Sequence, residues 1–427
     1  MMLLKNRLLI FPLIFFIIFF TSCNTKNTSS SERKLDEISG KITIAVYKNY
    51  EDYIKYAAEK YRKLHPNVTI AMEVLDEAKI ENALKEKNTN NLSDILMAQS
   101  KKIAYYYNLN NEAFKELNSN FSYKDGFNKN RLEQITINNK IYAVPLDYRP
   151  LILFYRKDLL ENKGIKIEDI RTWSQFYNIG KNIYSGSNKE VKLLTLDQNK
   201  NIYRIFLNQL NKGYIDKENN FNVDDIAASR AFDTLNQLYT DNVLDLAHNE
   251  QEVLNKLKAG KSIFTLASTD FIKTLETLPK EESWKVGVAK LPAFEAGGNR
   301  DVQEEPVNFL INNKLQNTKI AEDFIKYVTT EKELLTEAMN KYYMLPAYNS
   351  IYSENIFDNG INALGGEKAW RDFEGVMKAS FNDKYNSEYE YIDALIWSTV
   401  KENLGKNIEG EKLWLDIMIK YNKMQME

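Results

Sequence analysis

The residues that most often carry catalysis are scarce in this chain. It has two histidines, His65 and His248, far apart in sequence, and one cysteine, Cys23. No HExxH, no CxxC and no Cys/His pair is present, so zinc and thiol chemistry have no ligand pattern to build on. No glycine-rich phosphate loop stands between a strand and a helix. His65 precedes Pro66 at the end of a helical pattern, where a cation meets the helix C-terminal dipole, and His248 lies in a polar turn and reads as solvated. The adjacent carboxylates Glu304-Glu305 and Asp224-Asp225 are common in a chain with 59 acidic residues and also read as solvated charge. No catalytic residue, metal or cofactor is therefore assigned. A carboxylate pair acting on glycans stays as the enzymatic alternative, told apart from a binder by product formation.

The elements that would have to position a site are legible as alternating strands and helices. A chain of 427 residues predicts two or three domains. Its 44% hydrophobic and 12% aromatic content excludes a disordered chain. A net charge of −2 spread over a mixed surface argues against a nucleic-acid partner, which demands a basic patch. Ile42, Ile44 and Val46 alternate as a strand. Ile54, Ala57, Ala58, Tyr61 and Leu64 recur at helical spacing up to Pro66, and Val68, Ile70, Met72 and Val74 alternate again. This is a βαβ unit, which requires a parallel pair with a crossover helix. A helix is predicted over 77–86 and a strand over 94–97, then strands over 140–145 and 151–155 around the proline-bounded 146–150. Thr172-Trp173-Ser174-Gln175 reads as a capping box. The middle of the chain reads as largely helical, followed by strands over 262–266, 284–288 and 307–311. Between them, 294–305 holds Gly297-Gly298 and reads as an exposed, mobile loop. The C-terminal third reads as helical.

The N-terminus carries export signals. Lys5 and Arg7 precede an apolar run from Leu8 to Phe20, too short to span a bilayer as a helix. Thr21-Ser22-Cys23 resembles the lipobox of bacterial lipoproteins, although Phe20 stands where an aliphatic residue is usual. The resemblance implies a signal peptide over 1–22 and lipidation of Cys23, which has no disulfide partner. The Ser/Thr/Asn/Lys-rich stretch 23–39 reads as a flexible tether with a reach of roughly 20–25 Å.

Several strings, in order, resemble the family-one extracellular solute-binding proteins of carbohydrate ABC importers. They are Asn139-Lys140-Ile141-Tyr142-Ala143-Val144-Pro145, Tyr155-Arg156-Lys157-Asp158-Leu159-Leu160 with Gly164-Ile165, Thr172-Trp173-Ser174-Gln175-Phe176, Leu291-Pro292, and Leu345-Pro346-Ala347-Tyr348-Asn349-Ser350. The resemblance implies an α/β, two-lobed periplasmic-binding-protein fold of type II, each lobe a mixed sheet flanked by helices. It places 40–147 and 306–352 in the first lobe, 148–305 and 353–427 in the second, with hinge crossings near 146–150, 303–307 and 350–359. It implies a lipid-anchored, extracytoplasmic monomer that closes on a small polar solute, a mono- or oligosaccharide, and serves ABC permease subunits. A ligand-presenting sensor subunit is the other alternative.

By the same resemblance, ligand residues sit on loops at strand ends: Tyr47, Gln99, Ser100, Asp147, Tyr148, Arg149, Ser268, Thr269 and Asp270, with Tyr391 on a late helix. Amides, carboxylates and guanidinium groups suit sugar hydroxyls, and aromatic faces suit their C–H patches. Asp147 and Arg149 are also placed to pair with each other, and Trp173 reads as packing. Many sugar-binding members carry a stacking tryptophan where this chain has Ala267-Ser268-Thr269-Asp270-Phe271, which leaves Phe271 as the ring nearest that position.

Overall fold

A computed structural model describes residues 38–277 and 286–426. The signal peptide, Cys23 and the tether up to residue 37 lie outside the described residues, as do Trp284 and Lys285. Among the described residues no helix is long and apolar enough to cross a membrane.

Two five-stranded sheets organise the fold. In the first, Gly40–Val46 pairs in parallel with Val68–Val74, Ile42 opposite Ile70 and Ile44 opposite Met72. The crossover is the helix Glu51–Leu64, which buries Tyr53, Ile54, Ala57, Ala58 and Tyr61 on one face. Ile95–Gln99 pairs on the other side of the opening strand. Val307–Ile311 then enters antiparallel between Ile95–Gln99 and Ala143–Pro145. A late segment thus completes the first sheet, which ties the two halves of the chain together.

In the second sheet, Leu244–Ala247, Lys192–Asp197 and Ser262–Ala267 run parallel. Ile152–Arg156 lies antiparallel between Ser262–Ala267 and Val286–Ala289. Two apolar clusters are buried: one around Ile44, Tyr61, Phe309 and Phe324, which also takes in Ile152, Phe154 and Ala267 from one face of the second sheet, and one around Leu153, Trp173, Phe206 and Phe232 on that sheet's other face. Trp173 is packed as expected, its Nε1 donating to Gln209 at 2.9 Å, and the Thr172/Gln175 capping box opens its helix. The last helix, Gly410–Met424, packs on Asp225–Thr240. Only a glycine allows that approach, since a Cβ at 410 would lie 2.5 Å from the Ser229 carbonyl oxygen.

Two expectations are corrected. The middle of the chain is not simply helical, because Lys192–Asp197 and Leu244–Ala247 are strands. Leu193, Leu194, Thr195 and Leu196 are all buried, so this strand is covered on both faces and shows no alternation to read. The 294–305 segment is anchored rather than free. Gln209 donates to the carbonyls of Pro292 and Asn299, and Arg300 binds back to those of Leu291 and Lys290. Only Glu295, Ala296 and Gly297 at its tip are exposed.

Between the sheets, chain segments lie side by side. Asp147–Tyr148 pairs antiparallel with Leu345–Pro346, and Pro150 bridges to Gln303. Glu304 N donates to Arg149 O at 2.8 Å and Leu146 N to Val307 O at 3.0 Å. The 350–359 stretch is two short 3-10 turns, Asn349–Ser353 and Asn355–Asp358.

Candidate functional site

The strand ends of both sheets face each other across a polar seam. At its hinge end, Asp147 is buried and accepts from Tyr50 Oη and from Val307 N–H at 2.8 Å. Burial raises its pKa even against the pull of Arg149 and these bonds. Arg149 donates to Tyr50 Oη at 3.0 Å and reaches Asp270 and Glu304, each at 2.9 Å. Burial alone would raise the Asp270 carboxyl, but the adjacent Arg149 guanidinium holds it below its ordinary range. Lys200 Nζ meets the other oxygen of Glu304, and burial pushes that amine down to about 8. Asn49 of the first lobe also reaches Asp270, at 3.4 Å, and Lys273 reaches Asp52 at 2.6 Å. Beside this group lies a cavity of about 230 Å³ lined by Arg149, Asp197, Lys200, Glu250, Ser268 and Glu304, among others.

Farther along the seam a second set of charges crosses between the lobes. Lys101, on the helix Ser100–Leu109, pairs with Glu390 and Asp393 of the helix Tyr389–Asn403, each at 3.2 Å. Lys102 reaches Glu77 at 3.0 Å and Glu390 at 3.2 Å. Arg204 pairs with Glu305 at 3.2 Å and lies 3.7 Å from Asp383. Glu304 and Glu305 thus turn to opposite parts of the seam and each finds cations there. Their expected reading as solvated charge is corrected: Glu305 is only 8% exposed. The reason is position, because the segment holding them runs alongside Arg149 between the lobes.

Two lobes joined by paired segments, with charged side chains converging from both, are the geometry of a closing clamp. The family model described as "Bacterial extracellular solute-binding protein" matches residues 47–334. The chain belongs to that family. Among curated relatives it is 25% identical over 255 residues to the lactose-binding protein of Rhizobium radiobacter, covering 57% of this chain and 59% of the relative. It is 19% identical over 214 residues to the arabinooligosaccharide-binding protein of Bacillus subtilis, covering 49% of each. The chain thus spans a little over half, or about half, of the length of these relatives. Among solved structures, the GacH receptor of Streptomyces glaucescens superposes with a TM-score of 0.76 at 17% identity, over 91% of this chain and 98% of that one. Maltose-bound T. maritima MalE3 gives 0.74 at 18% identity, over 90% and 99%. At these identities the two structures establish the two-lobed fold.

Within this solute-binding protein, most of the expected residues gather at the seam. Tyr47 Oη bonds Glu77 at 3.2 Å and accepts from Gln99 N–H at 3.3 Å, and burial raises its pKa. Ser100 is buried, its Oγ donating to Pro306 O and accepting from Arg131 at 3.0 Å and Asn308 at 3.1 Å. Asp147 and Arg149 are joined through Tyr50 Oη, while the ion pairs of Arg149 go to Asp270 and Glu304. Ser268 and Thr269 are buried next to Asp270. Tyr148 is buried, with the Arg131 guanidinium 5.8 Å from its ring centre. Tyr391 lies apart from this group, half-exposed with its hydroxyl against Met424 Sδ, while Glu390 and Asp393 on the same helix reach the seam. Phe271 is packed edge-to-face on Phe154 at 5.2 Å and is 1% exposed, so it presents no open ring face.

Sequence reasoning missed Tyr50, Lys101, Arg131, Lys200, Arg204, Glu304, Glu305 and Asp383. Lys200 and Arg204 follow Lys192–Asp197, a strand buried on both faces whose sequence shows no alternation, so nothing local marks the loop at its end. For Glu304 and Glu305 a signal existed: they fall inside a predicted crossing between lobes.

Proposed function

We propose that this chain is the extracytoplasmic binding subunit of an ABC importer, which captures a mono- or oligosaccharide by closing two lobes and releases it unchanged to permease subunits. The supporting observation is the seam itself, where polar side chains of both lobes meet, as in Arg149–Asp270–Asn49 and Lys101–Glu390. A solute that bridges the lobes stabilises the closed arrangement by its differential contacts there. The names of the lactose-, arabinooligosaccharide- and maltodextrin-binding relatives support a carbohydrate. In this reading the lobes divide as 40–147 with 306–352 and 148–305 with 353–427. The strand-end residues from Tyr47 to Asp270 line the cleft in which the solute is held. Lipidated Cys23 holds a monomer at the membrane, and Cys23→Ala is expected to abolish acylation when cells are labelled with a lipid precursor.

The test is a thermal-shift screen against lactose, maltotriose, arabinotriose, polyols, amino acids and oligopeptides. A native-state binder at a hundredfold excess over its dissociation constant stabilises by about 2.7 kcal/mol. A shift with one sugar, recovered intact, is expected. A shift only with a non-sugar class overturns the carbohydrate, and a sugar returned cleaved overturns the binder.

A further inference from the structure

The chain holds one asparagine directly before a glycine, Asn359-Gly360, and three before a serine, Asn118, Asn349 and Asn386. Such pairs carry their own chemistry. The following backbone nitrogen stands within reach of the asparagine Cγ, and attack inside one chain needs no encounter of separate molecules. A glycine leaves that nitrogen least shielded, because it has no Cβ. Folding decides which pairs are free to react, since the side-chain amide and the next N–H must both be released before nitrogen can meet Cγ.

Most of these pairs are held. Asn118 Oδ1 accepts from Ile141 N–H at 2.7 Å, and its Nδ2 donates to Asn139 O at 3.1 Å. Asn386 donates to Asn219 O and accepts from Glu388 N–H, each at 3.1 Å. Asn349 opens the 3-10 turn Asn349–Ser353. At the related Asp125-Gly126, the glycine N–H donates to Tyr123 O at 3.1 Å. Asn359 differs on every count. Both Asn359 and Gly360 are exposed. The turn Asn355–Asp358 has ended there, with Asn359 extended at φ −77° and ψ 146° and its own N–H making the closing bond to Ile356 O at 3.1 Å. Among the described residues neither the Asn359 side-chain amide nor the Gly360 N–H has a hydrogen-bond partner.

We propose that Asn359 is a site of spontaneous covalent modification, where loss of the side-chain nitrogen leaves aspartate and isoaspartate. Gly360 N bonds to Asn359 Cγ as the Cγ–Nδ2 bond breaks, and the displaced nitrogen leaves as ammonia with the proton that Gly360 gives up. Water then opens the resulting cyclic imide at either carbonyl. The product arises beside a set of fastening contacts. Neighbouring Asp358 meets Arg371 Nε at 3.3 Å, and Arg371 also reaches Tyr352 O at 3.1 Å and Glu374 at 2.9 Å. A new carboxylate at 359 therefore competes for the guanidinium that ties the 350–359 stretch to the helix Trp370–Ala379. The isoaspartate form also adds one carbon to the backbone just before Gly360, which packs so closely that a Cβ there would lie 2.4 Å from the Gly366 carbonyl oxygen. The proposal is independent of the solute-binding reading, and no solute enters its test.

Full-length protein is incubated at pH 6 and pH 8, folded and in guanidinium chloride, then digested and its peptides weighed. The peptide holding Asn359 is expected to gain the mass difference between a hydroxyl and an amino group. The gain should be faster at pH 8, because the attacking nitrogen must shed its proton, and about as fast in folded as in unfolded protein. The Asn118 and Asn386 peptides should be slowed about tenfold or more by folding, since their partners must first be released by local opening. Asn359→Gln, whose attack would need a larger ring, should abolish the gain, together with labelling of that peptide by an isoaspartate-specific methyltransferase. It keeps Gly360, where an alanine would collide with Gly366. An Asn359 peptide that stays intact, or that folding protects as strongly as it protects Asn118, overturns the proposal. So does a gain in that peptide that persists in Asn359→Gln.

Discussion

The two ends of the inter-lobe seam solve the burial of charge in opposite ways, and Glu304 and Glu305 mark the divide. Toward the hinge, Asp147, Arg149, Lys200, Asp270 and Glu304 form a group in which no buried side-chain atom lacks a partner. Arg131, Arg204 and Asp383 lie farther from the hinge and are more deeply buried than that group, Asp147 apart, yet each keeps one atom unmatched, as does Tyr148 on the hinge strand itself. A completed network is what holds two segments in register, since every member depends on the others. The comparison therefore separates a completed network from an incomplete one, a distinction that residue type alone does not make.

The strongest test breaks the completed end. Arg149→Met leaves the largely buried Glu304 with only Lys200, and Asp270, whose side chain is 35% exposed, with only Asn49. Removing one member of a buried ion pair costs about 3–5 kcal/mol, so urea unfolding should show a loss of that size in ligand-free protein. A small loss of stability with a large loss of affinity would instead move Arg149 among the solute contacts.

The next test sharpens the open end. Burial pushes the pKa of Asp383 up to about 6, against the pull of Arg204. The folded chain then holds a proton that the unfolded chain releases near pH 4, so stability falls as pH rises from about 4 to about 6. The shift corresponds to a change on the order of 2–3 kcal/mol. Asp383→Asn should flatten that slope in urea midpoints taken at pH 4, 5, 6 and 7. A slope unchanged by Asp383→Asn would detach the effect from this residue.

Between the ends, Lys101 ties the lobes through Glu390 and Asp393. Lys101→Met should shift the closed-to-open balance of ligand-free protein by about 1–2 kcal/mol, a factor of about 5–30. Small-angle scattering would show a larger radius of gyration. No expansion would mean that the ion pairs follow closure without supporting it.

What was legible in the sequence divides along a similar line. The βαβ unit 40–74 was readable because apolar side chains alternate along its strands, Ile42, Ile44 and Val46 and then Val68, Ile70, Met72 and Val74, and its helix buries one stripe. Trp173 was readable from its capping box, a local signal. Lys192–Asp197 was not, because a strand covered on both faces has no period to detect. Its loss hid Lys200 and Arg204, the second lobe's share of both ends of the seam. Arg131 is a harder case: its short helix, Lys129–Glu133, carries ordinary surface residues on either side, and nothing local distinguishes a guanidinium that turns inward to Ser100 and Asn308. Burial of that kind is decided by Val307–Ile311, a segment far away in sequence that enters the first sheet beside it.

The smallest expected effect supplies the reference for the others. Thr172 caps the helix Trp173–Gly186 within the second lobe, accepting from Gln175 N–H at 3.3 Å, and it is half-buried and away from the seam. Thr172→Ala should cost about 1 kcal/mol in urea unfolding and leave the affinity for any solute unchanged. That is the signature of a residue that stabilises a lobe without meeting what the lobes enclose.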